Sequence, residues 1–381
     1  GTRNLAIGYQ AYTASDTEND NLAIGYQAMV TNTAGGTGNL ALGNYVLDAL
    51  TSGDYNVGIG LNAMTAMTTG GSNVAIGRNA LSTATTQTDN VGVGMHALAA
   101  SAVSHTTAIG SYSLYKNTTG TGNTGVGYTT LETNTTGSDN TAVGSDTLDA
   151  NTTGYQNVAI GHNALSGLTS GYMNTSVGYA ANNVASVVSG NTMIGFQAGI
   201  ATTTGSYNTG LGARALQAHT TGTNNTALGY ESLIALTTGT QNTAIGHQVM
   251  LANTTGYLNA AVGQYALKAN TTGANNTAVG AYALAANTTA SYNTAVGRDA
   301  LKANTTGASN VAVGFGTLNA STTASNNTAV GYYALVDTTT GTNNTAVGRD
   351  ASNYNTTGTV SYTHLRAHET DSYLVCRLLL E

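Results

Sequence analysis

Asn327-Thr328-Ala329-Val330-Gly331-Tyr332-Tyr333-Ala334-Leu335 decides the fold, because its glycine returns every 17 residues for almost the whole chain. The phrase, Asn-x-small-aliphatic-Gly, closes at Gly8, Gly25, Gly43, Gly60, Gly77, Gly94 and Gly110, then at every seventeenth residue to Gly348. These are 21 anchors, with one 18-residue and one 16-residue step among the twenty intervals. A short fixed period means that each repeat packs only on its neighbours, so the chain is a stack and not a globule around one core.

Counting from the anchor glycine as position 0, each column has a physical job. Position −1 is Val, Ile or Leu in all 21 repeats, and −3 is mostly Thr, Val or Leu. The two share one face of a short strand, while −2 and 0, nearly always Ala or Gly, share the other. Met193 is the bulky exception at −2. A second apolar column stands at +4, with Leu in 14 repeats and Met in three. The expected core lies between columns −1 and +4. The Asn and Gly of the connecting x-Ala-Asn-Thr-Thr-Gly-x-Asn stretch, seen whole from Ala269 to Asn276, suit turns with positive φ. Each repeat is therefore one coil, and the expected fold class is all-β, a β-solenoid of about 21 coils over residues 1–358.

Position −4 is Asn in 20 of 21 repeats, with Thr106 the exception inside the 16-residue step. Rungs stacked ~4.8 Å apart place identical amides over one another, so the column reads as an internal hydrogen-bonded ladder rather than a binding strip. One Val and one Leu per coil bury little apolar area against the cost of ordering 17 residues. Other chains are expected to supply the difference by approaching the small face at −2 and 0, and a homotrimer is the expected state.

Composition narrows the partners. Charged residues are 7% of the chain, the net charge is −7, Pro and Trp are absent, and Gly appears 49 times. No clustered Lys or Arg offers a nucleic-acid surface. No apolar run reaches the ~18 residues of a membrane helix, so no membrane insertion is expected within this fragment. The opening on Gly1, in the middle of a repeat, reads as a piece of a longer frame.

Asn73-Val-Ala-Ile-Gly77, Asn157-Val-Ala-Ile-Gly161 and Asn310-Val-Ala-Val-Gly314 resemble the head repeats of trimeric autotransporter adhesins of the YadA type. The resemblance covers about residues 4–351, and departs from that family in the longer repeat and in the Asn before the strand. The form at Asn327 to Leu335 is more similar to repeat arrays of phage tail fibres. Both resemblances imply an extracellular, trimeric fibre segment on a bacterial cell surface or a virion, meeting a host cell surface or glycan receptor. Residues 359–381 leave the period and resemble a translated sequencing-adapter tail, so Cys376, His364 and His368 are given no role.

Candidate chemistry is sparse. Gly120-Thr-Gly-Asn-Thr-Gly125 matches a dinucleotide fingerprint in letters but lacks the strand and helix around it, so no cofactor is expected. Histidines show no metal-ligand spacing, and carboxylates mostly stand alone, with Asp146 and Asp149 read as a solvated turn pair. No enzyme is expected, although a non-catalytic solenoid part of a carbohydrate-active enzyme is the alternative. Ice binding is set lower, because the Thr pairs such as Thr305-Thr306 are adjacent and lie in turns. Column +1 is the expected contact strip. It holds Tyr9, Tyr26, Tyr128, Tyr179, Phe196, Tyr230, Phe315 and Tyr332 among Arg78, Arg298 and Arg349, residues suited to sugar rings and anionic polymers.

Overall fold

The computed structural model describes residues 1–14, 17–32 and 34–360 and the backbone of Tyr362–His364; Ser361 and the expected adapter-like stretch from 365 to 381 lie outside the described residues. The chain divides into two compact units, Gly1–Gln241 and Asn242–Glu381. Each is a parallel β-solenoid with a ~17-residue turn, and no helix occurs among the described residues.

The first unit holds fourteen three-residue strands: β1 (Leu5–Ile7), β2 (Leu22–Ile24), β3 (Leu40–Leu42), β4 (Val57–Ile59), β5 (Val74–Ile76), β6 (Val91–Val93), β7 (Thr107–Ile109), β8 (Thr124–Val126), β9 (Thr141–Val143), β10 (Val158–Ile160), β11 (Thr175–Val177), β12 (Thr192–Ile194), β13 (Thr209–Leu211) and β14 (Thr226–Leu228). The second holds β15 (Thr243–Ile245), β16 (Ala260–Val262), β17 (Thr277–Val279), β18 (Thr294–Val296), β19 (Val311–Val313), β20 (Thr328–Val330), β21 (Thr345–Val347) and β22 (Tyr362–His364). Within each unit consecutive strands pair in parallel without slip, Ala142 with Ala159 and Ala278 with Ala295. The ladder continues past the expected end of the period, since β22 pairs with β21 at the 17-residue register, Thr345 opposite Tyr362.

The sense of the strand is the reverse of the sequence expectation. The middle residue, at −2, points inward: Ala75, Ala108, Ala142 and Ala159 in the first unit and Ala278 and Ala295 in the second are fully buried. The β-branched residues at −3 and −1 point outward, with Ile76, Ile109 and Ile160 exposed. The core is Ala at −2 and +3 against Leu at +4, all at 0% exposure in a coil such as that of Ala159, Ala164 and Leu165. A 17-residue turn encloses so narrow an interior that one Leu fills it and only a small side chain fits opposite. Met193 shows this directly. It is buried at −2 where +4 is Gly199, and a Cβ on Gly199 would stand 2.8 Å from the Met193 Sδ. The small side chain at −2 therefore lines the interior, while the anchor glycine at 0 stays half-buried.

Two ladders of amides complete the interior. In the expected one, at −4, Asn140 donates Nδ2 to Asn123 Oδ1 at 3.1 Å and to the Gly154 carbonyl at 2.9 Å, while its backbone N–H takes the same Asn123 oxygen at 3.0 Å. The second lies at +7, in the Asn of Asn-Thr-Thr-Gly, expected as a turn residue. Asn117, Asn134 and Asn151 are fully buried; Asn134 donates its Nδ2 to Asn117 Oδ1 and Asn151 donates its Nδ2 to Asn134 Oδ1, both at 2.7 Å. In the second unit Asn270, Asn287 and Asn304 repeat the pattern at 3.2, 2.9 and 3.0 Å. Filled donors and acceptors let a polar side chain occupy a site as dry as that of Leu165.

The turns also differ from expectation. Positive φ falls at the anchor glycine and at +2, +4 and −5, as at Gly144 (+134°), Asp146 (+53°), Leu148 (+51°) and Asp139 (+57°), and not at the Asn of column +7. Left-handed Leu is strained. Burial of its side chain and the bond from Leu148 N–H to the Ala164 carbonyl at 3.1 Å offset that strain. The anchor needs glycine for a second reason, because a Cβ on Gly144 would lie 2.6 Å from the Gly161 carbonyl oxygen of the next rung.

Candidate functional site: the strip beside the anchor glycine

The chain leaves the strand at the anchor glycine, and the next residue, at +1, is thrown to the surface. Its carbonyl accepts the N–H of residue +2 one rung on: Gln197 donates to Tyr179 and Arg214 to Phe196, both at 2.9 Å. The column thus inherits the rung spacing. All eleven expected strip residues are exposed, the aromatic ones from Tyr9 at 64% to Phe315 at 36%.

The structure brings some of them together. Tyr9 stacks on Tyr26 at 5.2 Å and 14°, Tyr179 on Phe196 at 5.5 Å and 15°, and Phe315 on Tyr332 at 5.5 Å and 14°. His162 extends the middle stack, 5.5 Å from Tyr179 and 6° off parallel. The Arg349 guanidinium lies over Tyr332 at 5.5 Å, a cation on a ring face. Arg298 pairs with Asp299 at 3.2 Å, and Arg78 lies against the Met95 sulfur at 3.4 Å. Tyr128 is 56% exposed, with Ser111 and Ser145 in the +1 positions on either side. Stacked rings cover one another's faces, so a ligand meets ring edges along a stack and ring faces only at its ends.

Sequence reasoning missed that column +2 carries the strip on at coils where +1 is not aromatic. His96 stacks on Tyr112 at 5.2 Å, and Tyr265 meets Tyr282 at 5.2 Å. Lys268 stands over the Tyr265 ring at 4.5 Å and Lys302 over Tyr282 at 5.1 Å. The signal was present, since aromatics recur at +2 on the same period as at +1.

The acidic pair is not a uniform solvated turn. A hydrogen bond from the Thr129 hydroxyl holds the Asp146 carboxyl below its ordinary range against desolvation, with help from Ser145 and from His162, whose Nε2 is 3.8 Å away. Asp149 moves the other way, its carboxyl pushed up by burial. Among the described residues no three His, Cys, Asp or Glu side chains gather at a metal-binding distance. Among the described residues no helix is long and apolar enough to cross a membrane. In the Thr pairs the first hydroxyl is committed to the fold: Thr118 donates to the Thr135 carbonyl at 2.9 Å and Thr288 to that of Thr305 at 3.1 Å.

No protein-family model matches the chain, and a search of curated proteins finds no match.

Proposed function

We propose that the chain is a segment of an extracellular adhesive fibre, borne on a bacterial surface or a virion, in which three copies associate and display the +1 strip to a cell-surface glycan. The observation that carries this reading is the outward face at −3 and −1. Val, Ile or Leu in each coil, exposed as in Ile109 and Ile160, is joined mostly by Thr, Val or Leu to form an apolar band along each unit. Contiguous apolar surface of that kind marks an interaction site. With Ala turned inward, the band is the face that two further copies would cover, in place of the small face expected from sequence.

Display follows from the period. Weak contacts at fixed spacing add through avidity without any single strong site, so the fibre needs no catalytic group. The eleven strip residues are the contact set under this reading. Replacing Tyr128, Tyr179, Phe196 and Tyr230 together by Ser is expected to lower binding of the labelled chain to receptor-bearing cells by about tenfold or more, as measured by flow cytometry. Undiminished binding would contradict the assignment of the strip.

A further inference from the structure

Between Tyr128 and Tyr230 the rings of the +1 column are interrupted at two places with matching order. It runs Tyr128, Ser145, the stack His162–Tyr179–Phe196, Ala213, Tyr230. The rungs carrying these residues are consecutive and in register: Asp146 donates its N–H to Tyr128 O at 3.0 Å, Asn163 to Ser145 O at 3.1 Å, and Glu231 to Ala213 O at 3.1 Å. A three-ring stack thus has one small residue at each end, followed by a tyrosine. Rings on either side of the small residue are two rungs apart, ~9.6 Å, so a ring seated over it has its centre ~4.8 Å from each neighbour, inside the ~4.5–7 Å range of ring stacking.

Polar groups stand at the rim of both gaps. Beside Ser145 is Asp146, which accepts hydrogen bonds from Thr129 at 2.5 Å and Ser145 at 2.8 Å. Beside Ala213 is the Arg214–Glu231 ion pair, with Nη1 to Oε1 at 3.3 Å. Apolar walls with a charged rim match a pyranose, which presents C–H bonds on its faces and hydroxyls around its edge. A carboxylate accepts from those hydroxyls and a guanidinium donates to them. An aromatic side chain from a protein partner would leave the rim groups unused.

We propose that Ser145 and Ala213 floor two slots, four rungs or ~19 Å apart, each of which takes one pyranose ring of an extended glycan between aromatic neighbours. The proposal rests on the adhesive reading above and names the ligand that the strip holds. Tyr128 and His162 flank the first slot, and Phe196 and Tyr230 flank the second. Between them the stacked faces of His162, Tyr179 and Phe196 leave only ring edges to the glycan.

The test fills the slots. Phenylalanine already stands at +1 in Phe196 and Phe315, so Ser145→Phe and Ala213→Phe are compatible with the coil. Cellohexaose and chitohexaose are titrated into the full chain, with contacts read by saturation-transfer NMR. At least one of them is expected to bind the unaltered chain with saturation at the slot rings, and the doubly filled variant is expected to lose about tenfold or more in affinity. Ala281→Phe, flanked at +1 by Gln264 and Arg298, is expected to change nothing. Equal affinity in the filled variant, or no binding of either sugar to the unaltered chain, overturns the slots. Cell binding measured on the same variants separates the two readings: if filled chains still bind cells and only the fourfold Ser variant loses them, the strip stands and the slots fall. If the fourfold variant also binds cells undiminished, the strip falls as well.

Discussion

The coils on β1–β6 and those on β7–β9 keep one register with two chemistries. At −3 the first set carries Leu5, Leu22, Leu40, Val57, Val74 and Val91, and the second Thr107, Thr124 and Thr141. Inside, column +7 holds Leu50, Met67 and Ala84 in the first set, between Asn32 and Ser101, and Asn117, Asn134 and Asn151 in the second, all of them buried. The change falls at the 16-residue step, where Thr106 stands in the −4 ladder. Thr106 takes the Asn90 Oδ1 on its backbone N–H at 2.9 Å but has no amide to pass on. The coil thus requires a side chain of the right size and direction, and accepts hydrocarbon or amide provided that the neighbours above and below match. Asn32 shows the cost of mismatch: one rung from Leu50, its buried Oδ1 has no partner.

What both regions share is the anchor, so its loss is expected to have the largest effect. Gly144→Val meets both a +134° φ and the next rung's carbonyl, and is expected to cost about 4 kcal/mol or more, read as a fall in the urea midpoint. A coil that absorbed it with little change would show that the rungs are not held at their observed spacing.

His219 puts a third chemistry in column +7, fully buried, and burial lowers its pKa to about 4 from 6.5. Between those values the unfolded chain carries a proton on this residue that the folded chain does not. The neutral histidine's contribution is therefore complete above pH 6.5 and is lost as pH falls toward 4, by about 3 kcal/mol in all. His219→Asn is expected to flatten the stability profile across that window by this amount. An unchanged profile would place the titrating group elsewhere.

Converting one chemistry into the other sharpens the contrast. Asn134→Leu alone removes the ladder partner of the Asn117 oxygen and of the Asn151 amide, leaving the first only Asn123 Nδ2 at 3.5 Å and the second only the Gly154 carbonyl at 3.1 Å, and is expected to cost about 2 kcal/mol. Asn117, Asn134 and Asn151 all changed to Leu extend an apolar column into buried Leu168, and are expected to cost less than the sum of the three single changes. Strict additivity would refute matching along the column. The smallest effect is a gain: Asn32→Leu beside Leu50 is expected to raise stability by about 1 kcal/mol in the same urea assay.

The period, the strand at −3 to −1, the −4 amide ladder and the exposure of +1 were all legible in the sequence, because each is a column with one physical role. The inward sense of the strand was not. Thr-Ala-Val alternates equally well either way, and the usual preference for burying the larger side chain points the wrong way when the interior is one Leu wide. The deciding signal was the coincidence of Met193 at −2 with Gly199 at +4, a volume exchange that only facing positions need. The +7 amides were misread because Asn before Thr-Thr-Gly looks like turn chemistry, and only packing shows it buried. In the strip, the exposure of +1 was foreseen, but its stacking and its continuation through +2 depend on side-chain directions that spacing does not give.

Sedimentation equilibrium on the intact chain, with and without Val126→Asp and Val143→Asp on the outward face, bears most directly on the claim that this face is covered by further copies. The account predicts three times 38.3 kDa for the unaltered chain and 38.3 kDa for the double variant, with the β-sheet circular dichroism of both alike. A folded, unaltered chain that sediments at 38.3 kDa at every concentration would contradict it.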